Sequence, residues 1–344
     1  MNDVSVVELQ SADIARWDQF VTDCGTATFF HRAGWKTVIE TAFGHRTRFL
    51  FAEVDGQIEG VLPLTEVKSY LFGHSLVSLP FCVYGGVAAL TERASHALDE
   101  AARLHAQALN VDHLEYRSVV PSHESWAHKE LYVTFRKEMK PDVEHNLLAI
   151  PRKQRAMVRK GIKAGLRSDF DLDIDRFFTA YSGSVHRLGT PVFAKRYFEI
   201  LRQVFKSDCE ILTVTSENGR LIASVLSFLF RDEILPYYGG GTAEAREFAG
   251  NDFMYWEVMR RACERGIRIF DFGRSKLGTG SFDFKKNWGF EPQPLHYEYL
   301  LIKGKSVPDH NPLNPKYQMF IKLWQKMPIG LANRIGPYIV KSLG

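Results

Sequence analysis

The chain is 344 residues long, more than one compact hydrophobic core normally holds, so two domains of ordinary size are expected. A composition of 45% hydrophobic, 13% aromatic and 24% charged residues is that of a globular protein and excludes long disorder. With 44 basic against 40 acidic residues the formal net charge is only +4, which excludes a polycation built to coat nucleic acid and makes any electrostatic site a local one.

In chain order, the first half reads as mixed α/β. A strand over 4–9 is followed by a helix over 14–21, an amphipathic helix over 35–43, and a hairpin whose turn is Asp55-Gly56, a pair that supplies the positive φ angles of a type I′ connection. A Pro/Gly-rich loop over 79–86, a helix over 94–110 and strands over 113–117 and 131–137 complete this half. The second half opens with a basic helix, then a helix over 176–188, another from Lys195, and a hairpin turning at Asn218-Gly219. Segments 49–64 and 211–229 thus share a strand, an Asx-Gly turn and a second strand, which points to a duplicated domain; the plainer alternative is that any two hairpins with polar turns look alike. A turn at Gly239-Gly240-Gly241, a long helix over 252–265, a strand over 268–272, a short helix over 282–288 and a strand over 295–301 follow. The expected division is therefore 1–145, 146–305 and a C-terminal segment, 306–344.

That last segment carries Lys316, Lys322, Lys326, Arg334 and Lys341 without a carboxylate, interleaved with Phe320, Ile321, Leu323, Trp324, Ile329 and Leu331. Such a basic amphipathic stretch either lies on an anionic membrane surface or packs its apolar face on the protein and turns its lysines to water. The four cysteines, Cys24, Cys82, Cys209 and Cys263, are far apart, with no C-x-x-C pair and no histidine at zinc-ligand spacing, so buried free thiols and no metal are expected. The N-terminus lacks the order of a secretory signal, and no apolar run approaches the roughly 20 residues that span a bilayer. The expectation is a cytoplasmic protein, with peripheral contact to the inner membrane as an extension of it; oligomeric state is not legible.

Several side chains stand out as candidates. Arg155, Arg159, Lys163 and Arg167 recur every four residues beside an apolar row of Val158, Ile162 and Leu166, with Arg152, Lys153 and Lys160 nearby. Like charges at this spacing repel, so the row requires an offsetting anion: a phosphate-bearing substrate, or carboxylates from elsewhere in the fold. Asp271-Phe272-Gly273-Arg274 ends a strand, where α/β folds place ligand-contacting groups; Arg274 can grip a phosphate or carboxylate, while Asp271 can orient it, act as a base or cap the turn. Lys285, between Phe284 and Lys286 and ahead of Trp288, has an aromatic setting. Tyr237 and Tyr238 offer a phenol as proton donor or serve as packing; His186 is a base at neutral pH or a core histidine, with Arg187 beside it; Lys36, next to Trp35, is a phosphate ligand in the first half.

LLAIPRKQRAMVRKGIKAGL (147–166), HRLGTPVFAKRYFEIL (186–201) and IFDFGRSKLGTGSFDFKKNWGFEP (269–292), with FFHRAGWKTVIETAFGH (29–45) in the first half, resemble the FemAB branch of the GNAT acyltransferase superfamily. The resemblance is to proteobacterial members found beside exosortase and exopolysaccharide (PEP-CTERM) systems in particular. It implies an α/β (α+β) fold of two tandem GNAT-like domains, each a mixed, largely antiparallel sheet flanked by helices. It also implies transfer of an activated acyl group, an aminoacyl group above all, to an amine of a cell-envelope or exopolysaccharide precursor. Aminoacyl-tRNA or acyl-CoA would be the co-substrate, with no permanently bound cofactor; the acceptor would be a small or lipid-linked saccharide or peptide, and tRNA a partner. Lys285 corresponds to the family's functional lysine, which stabilises the reacting carbonyl oxygen, with Lys286 the competing register. One departure bears on the donor: the stretch Arg246-Glu247-Phe248-Ala249-Gly250-Asn251 lacks the Q/R-x-x-G-x-G/A loop that holds CoA pyrophosphate in many GNAT proteins. A CoA-dependent N-acyltransferase and a non-catalytic module for an anionic saccharide or protein remain the alternatives.

Overall fold

The computed structural model describes residues 3–69, 73–307 and 315–342, so the start of the expected tail and the side chain of Lys316 lie outside the described residues. The chain begins with β1 (Ser5–Glu8), α1 (Ile14–Asp23), α2 (Gly34–Phe43), β2 (Arg46–Val54), β3 (Gln57–Ser69), β4 (Gly73–Val77), β5 (Ala88–Ala89), α3 (Glu92–Ala108), β6 (His113–Ser118) and β7 (Ala127–Lys129). It continues with β8 (Tyr132–Glu138), α4 (Val143–Ala149), α5 (Arg152–Lys163), β9 (Arg167–Phe170), α6 (Asp175–Arg187), α7 (Lys195–Phe205), β10 (Cys209–Thr215), β11 (Leu221–Phe230) and β12 (Glu233–Gly241). The remainder is α8 (Ala245–Phe248), α9 (Gly250–Glu264), β13 (Ile269–Asp271), β14 (Ser275–Lys276), α10 (Gly280–Asn287), β15 (Pro292–Pro294), β16 (His296–Leu301), α11 (Pro315–Lys326) and α12 (Ile329–Lys341). Local chemistry sets several boundaries: Asp55 (φ 49) and Gly56 (φ 77) make the type I′ turn, Gly44 ends α2 in the left-handed region, and the Thr91 hydroxyl accepts from Ala94 N to start α3.

These elements form two sheets of the same plan. The first runs β1-β2-β3-β4-β6-β16-β7 and the second, read in the same direction, β9-β10-β11-β12-β13-β8-β14. In each, a long antiparallel hairpin feeds a strand that is parallel to the next, β4 to β6 and β12 to β13, across a helical connection, α3 or α9. The duplication suggested by two similar hairpins is thus a duplication of whole sheets. The units divide accordingly into 1–132 with 294–309 and 341–344, and 133–293 with 310–340. This differs from a contiguous split at 145/146, because the sixth place in each sheet is filled out of sequence order: β16 pairs with β6 and β7 in the first sheet, and β8 pairs with β13 in the second.

Within the second unit the core gathers Val158, Phe253, Met254, Val258, Phe270, Phe272, Trp288 and Phe290. Helix α5 lies close on α9 because Gly161 has no side chain: a Cβ there would stand 2.7 Å from Phe253 Cβ. Two sequence expectations are corrected here. Helix α5 ends at Lys163, with Gly165 (φ 70) beyond it, so Arg167 leaves the cationic row and pairs with Thr215 as a strand residue; Ile162, expected on the apolar side, is 50% exposed. Gly239-Gly240-Gly241 is no turn but the end of β12, where the absence of side chains admits helices: a Cβ on Gly240 would meet Ser184 Cβ at 2.6 Å, and one on Gly241 would meet Ala245 Cβ at 2.5 Å.

The C-terminal helices pack through Trp324, Ala332, Gly336 and Val340, all buried. Ile321 fills the space beside Gly189, and Gln325 Nε2 donates to Arg187 O at 2.7 Å. All four cysteines are free and buried. Among the described residues no helix is long and apolar enough to cross a membrane, and no group of three or more His, Cys, Asp or Glu is placed to hold a metal ion.

Candidate active site

Strand β12 pairs with β11 to Gly241 but with β13 only at Glu233 and Ile234, so the second sheet opens between its two parallel strands beyond Ile234. At the end of β13 the chain turns through Gly273 (φ 66) into Arg274. Asp271 makes that turn: its fully buried carboxylate accepts from Gly273 N at 2.6 Å and from Thr134 Oγ1 at 3.2 Å. The two carbonyls that follow, of Gly273 and Arg274, accept from Lys285 Nζ at 3.0 and 2.9 Å. Lys285 comes from α10, its ammonium 5.8 Å from the centre of the Phe135 ring. Burial pushes this ammonium down to about 7; the Arg274 guanidinium adds to the shift and the Asp271 carboxylate opposes it. With two N–H groups committed to carbonyls, the third proton is the labile one, free to be donated or lost near neutrality.

Asp271, Lys285 and Arg274 are therefore brought together, with Lys285 on the inner side of α10 and Lys286 exposed on the outer. Asp271 is fully buried and caps the turn, one of the three roles open to it. Two partners were missed. Glu233 accepts from Arg136 Nη2 at 2.5 Å and Nε at 3.1 Å, and its carboxyl is raised by burial and by the neighbouring Asp271, against the pull of Arg136. Neither residue carries a motif; they meet Asp271 because the ladder sets Arg136 opposite it.

The other candidates are distributed differently. Tyr238 is buried among Tyr181, Phe193, Tyr197 and Phe198, with its hydroxyl 3.0 Å from that of Tyr197, and Tyr237 packs on Phe228. A bulge between Leu226 and Ser227 makes Tyr237 the extra residue of β12. Arg187 donates to Gly241 O, and burial lowers its guanidinium; His186 Nε2 lies 2.9 Å from Met327 O. Both tie the end of α6 to its surroundings. Lys36 belongs to the first unit, where its ammonium is held by Glu40 at 2.7 Å and Thr47 at 2.8 Å. Arg152, Arg155, Arg159, Lys160 and Lys163 line an open groove of about 620 Å³ along α5. Among the described residues none of the five has a carboxylate within ion-pair distance, so the row is not neutralised from elsewhere in the fold.

The start of α9 also bears on the donor. It follows the one-turn α8 through Ala249 (φ 54) and carries Asp252 in its first turn, the carboxyl raised by burial although Trp288 and Gln154 donate to it. A carboxylate there competes with any anion drawn to the helix N-terminus.

Residues 152–286 match the family "Acetyltransferase (GNAT) domain". No curated protein matches the chain. Among solved structures it is similar to "FemX", with a TM-score of 0.66 and 16% identity over 92% of this chain and 100% of that one. It is also similar to a "Tandem GNAT protein from the clavulanic acid biosynthesis pathway", with TM-score 0.56 and 12% identity over 89% and 100% of the two chains. L-PGS from Bacillus licheniformis gives a TM-score of 0.57 and 12% identity over 93% and 98%. Residues 152–286 thus match a GNAT acetyltransferase domain, in a chain whose fold is that of the tandem GNAT proteins.

Proposed function

We propose that the chain is an acyltransferase whose reaction takes place at the end of β13, beside Lys285. The observation that carries the reading is the position of the Lys285 ammonium, held by the carbonyls of Gly273 and Arg274 with one proton to spare and titrating near neutral pH. A neutral acceptor amine attacks the carbonyl carbon of an ester or thioester; a C–N bond forms, negative charge gathers on the oxygen, and the C–O or C–S bond then breaks as the attacking nitrogen gives up a proton and the leaving group takes one. Lys285 donates its remaining N–H to that oxygen, and Arg274 holds an anionic part of one substrate. Asp271 and Thr134 fix the turn that aims the lysine, so both are positioning residues. Lys285 is preferred over Lys286 because only the former reaches the turn.

The transferred group is read as aminoacyl and the acceptor as an amine of an envelope or exopolysaccharide precursor. Two features support a donor other than acyl-CoA: Asp252 in the first turn of α9, and an unneutralised cationic groove on α5 that suits the phosphates of a tRNA. The GNAT match of 152–286 favours acyl-CoA as a second reading. Calorimetric titration separates them: heat on adding acetyl-CoA supports the second donor, whereas label transferred from aminoacyl-tRNA to an amine acceptor, with no heat from acetyl-CoA, supports the first. Turnover of neither donor class contradicts an acyltransferase.

A further inference from the structure

Helices α11 and α12 have two apolar sets each, and only one is used by the fold. The inner set is closed: Trp324 is 2% exposed, and Ala332, Gly336 and Val340 recur every four residues along the buried side of α12. A Cβ on Gly336 would stand 2.9 Å from Val192 N, and the Met327 carbonyl lies 2.9 Å from His186 Nε2. The outer set faces water. On α11 Met319 and Leu323, one turn apart, are 67% and 62% exposed; on α12 Leu331, Ile335 and Tyr338, at i, i+4 and i+7, are 46%, 37% and 77% exposed. Exposed Lys322, Lys326 and Arg334 are interleaved with them, and the sequence has no Asp or Glu after Asp309.

From this we infer that the outer faces of α11 and α12 dock on an anionic phospholipid surface, each helix lying along the interface with its exposed apolar side chains among the acyl chains and its cations at the headgroups. Charge complementarity selects this occupant. A second copy of the chain would set one carboxylate-free face against another and bring like charges together. A nucleic acid would match the cations but leave the apolar side chains without a partner. Neither helix crosses the bilayer, in keeping with their length and hydropathy. The docking does not depend on the transfer chemistry.

The test is co-sedimentation of the full chain with vesicles of phosphatidylglycerol and phosphatidylethanolamine, beside vesicles of phosphatidylcholine alone. Binding to the anionic vesicles only, weakened by salt, is expected. Combined Lys322→Gln, Lys326→Gln and Arg334→Gln should weaken it roughly 100-fold, at about a fivefold loss per cation. Combined Leu323→Ser, Leu331→Ser and Ile335→Ser should abolish it in a protein whose circular dichroism and melting match the parent; if that variant does not fold, the charge variant decides. Arg152→Gln with Arg155→Gln and Arg159→Gln on α5 should leave binding unchanged. The inference is overturned by no binding of the parent to anionic vesicles, by undiminished binding of the charge variant, by loss of binding in the α5 variant alone, or by a solution dimer that the serine variant dissociates.

Discussion

Lys285 shows how burial prepares a side chain for chemistry. Its ammonium is lowered to about 7 from an ordinary value of 10.5, so between those two pH values the unfolded chain holds a proton there that the folded one lacks. This group's contribution to stability therefore rises with pH across that window, and below it the cost of a charged, partly buried lysine is felt in full. Reductive ¹³C-methylation followed by NMR titration should find one lysine signal with its midpoint near pH 7, absent in Lys285→Arg; a set of lysines all titrating near 10 would contradict the burial argument. His123 presents the opposite sign in the first unit. Its ring sits between Asp99 Oδ2 at 3.1 Å and Glu298 Oε2 at 3.3 Å, and although burial lowers its pKa, the hydrogen bonds it donates to these two carboxylates raise it to about 9. The stability it contributes is complete below about pH 6.5 and is lost as pH rises through 9. Urea denaturation at pH 6 and pH 10 should show a smaller loss for His123→Gln than for the parent, and equal losses would count against the charged bridge.

At the scale of single elements, glycine marks where one element comes close to another. Gly161→Ala should push α5 off α9 and cost about 1–3 kcal/mol by overpacking against Phe253, measured as a lower denaturation midpoint; an unchanged midpoint would mean that the helices have slack. The same logic explains what the sequence disclosed and what it hid. Helices over 34–43, 92–108 and 250–264 follow a local period, and the Asp55-Gly56 turn follows local φ preference, so both were legible. The glycine triplet at 239–241 was misread as a turn because the reason for it, helices on either side of β12, is not local. Tyr238 looked chemical for the same reason: its aromatic neighbours come from α6, α7 and the link between them, distant in sequence. Asp271, Arg274 and Lys285 could be found because they share one short stretch with a recognisable pattern, whereas Arg136 and Glu233 reach the site only through strand pairing.

On the scale of the whole molecule, the two sheets are copies that each take their sixth strand out of sequence order. Cutting at 145/146 should therefore fail: fragment 1–145 keeps β8 but loses β16, which leaves β6 with an open edge and removes Tyr297, Glu298 and Tyr299 from its interior. Amide NMR spectra should show poor dispersion for 1–145 and recovery when 294–309 is joined after residue 132; a well-dispersed spectrum from 1–145 alone would contradict the strand assignment. The proposal that joins fold to function is more compact: one ammonium, held by two carbonyls at the end of β13, meets the oxygen of a carbonyl under attack. The rate of label transfer from the donor to an amine acceptor, measured side by side for the parent, Lys285→Met and Lys286→Ala, tests it most directly. Removing an oxyanion donor should lower kcat about 10²–10³-fold in folded Lys285→Met and leave Lys286→Ala near the parent; full turnover by Lys285→Met would contradict the assignment.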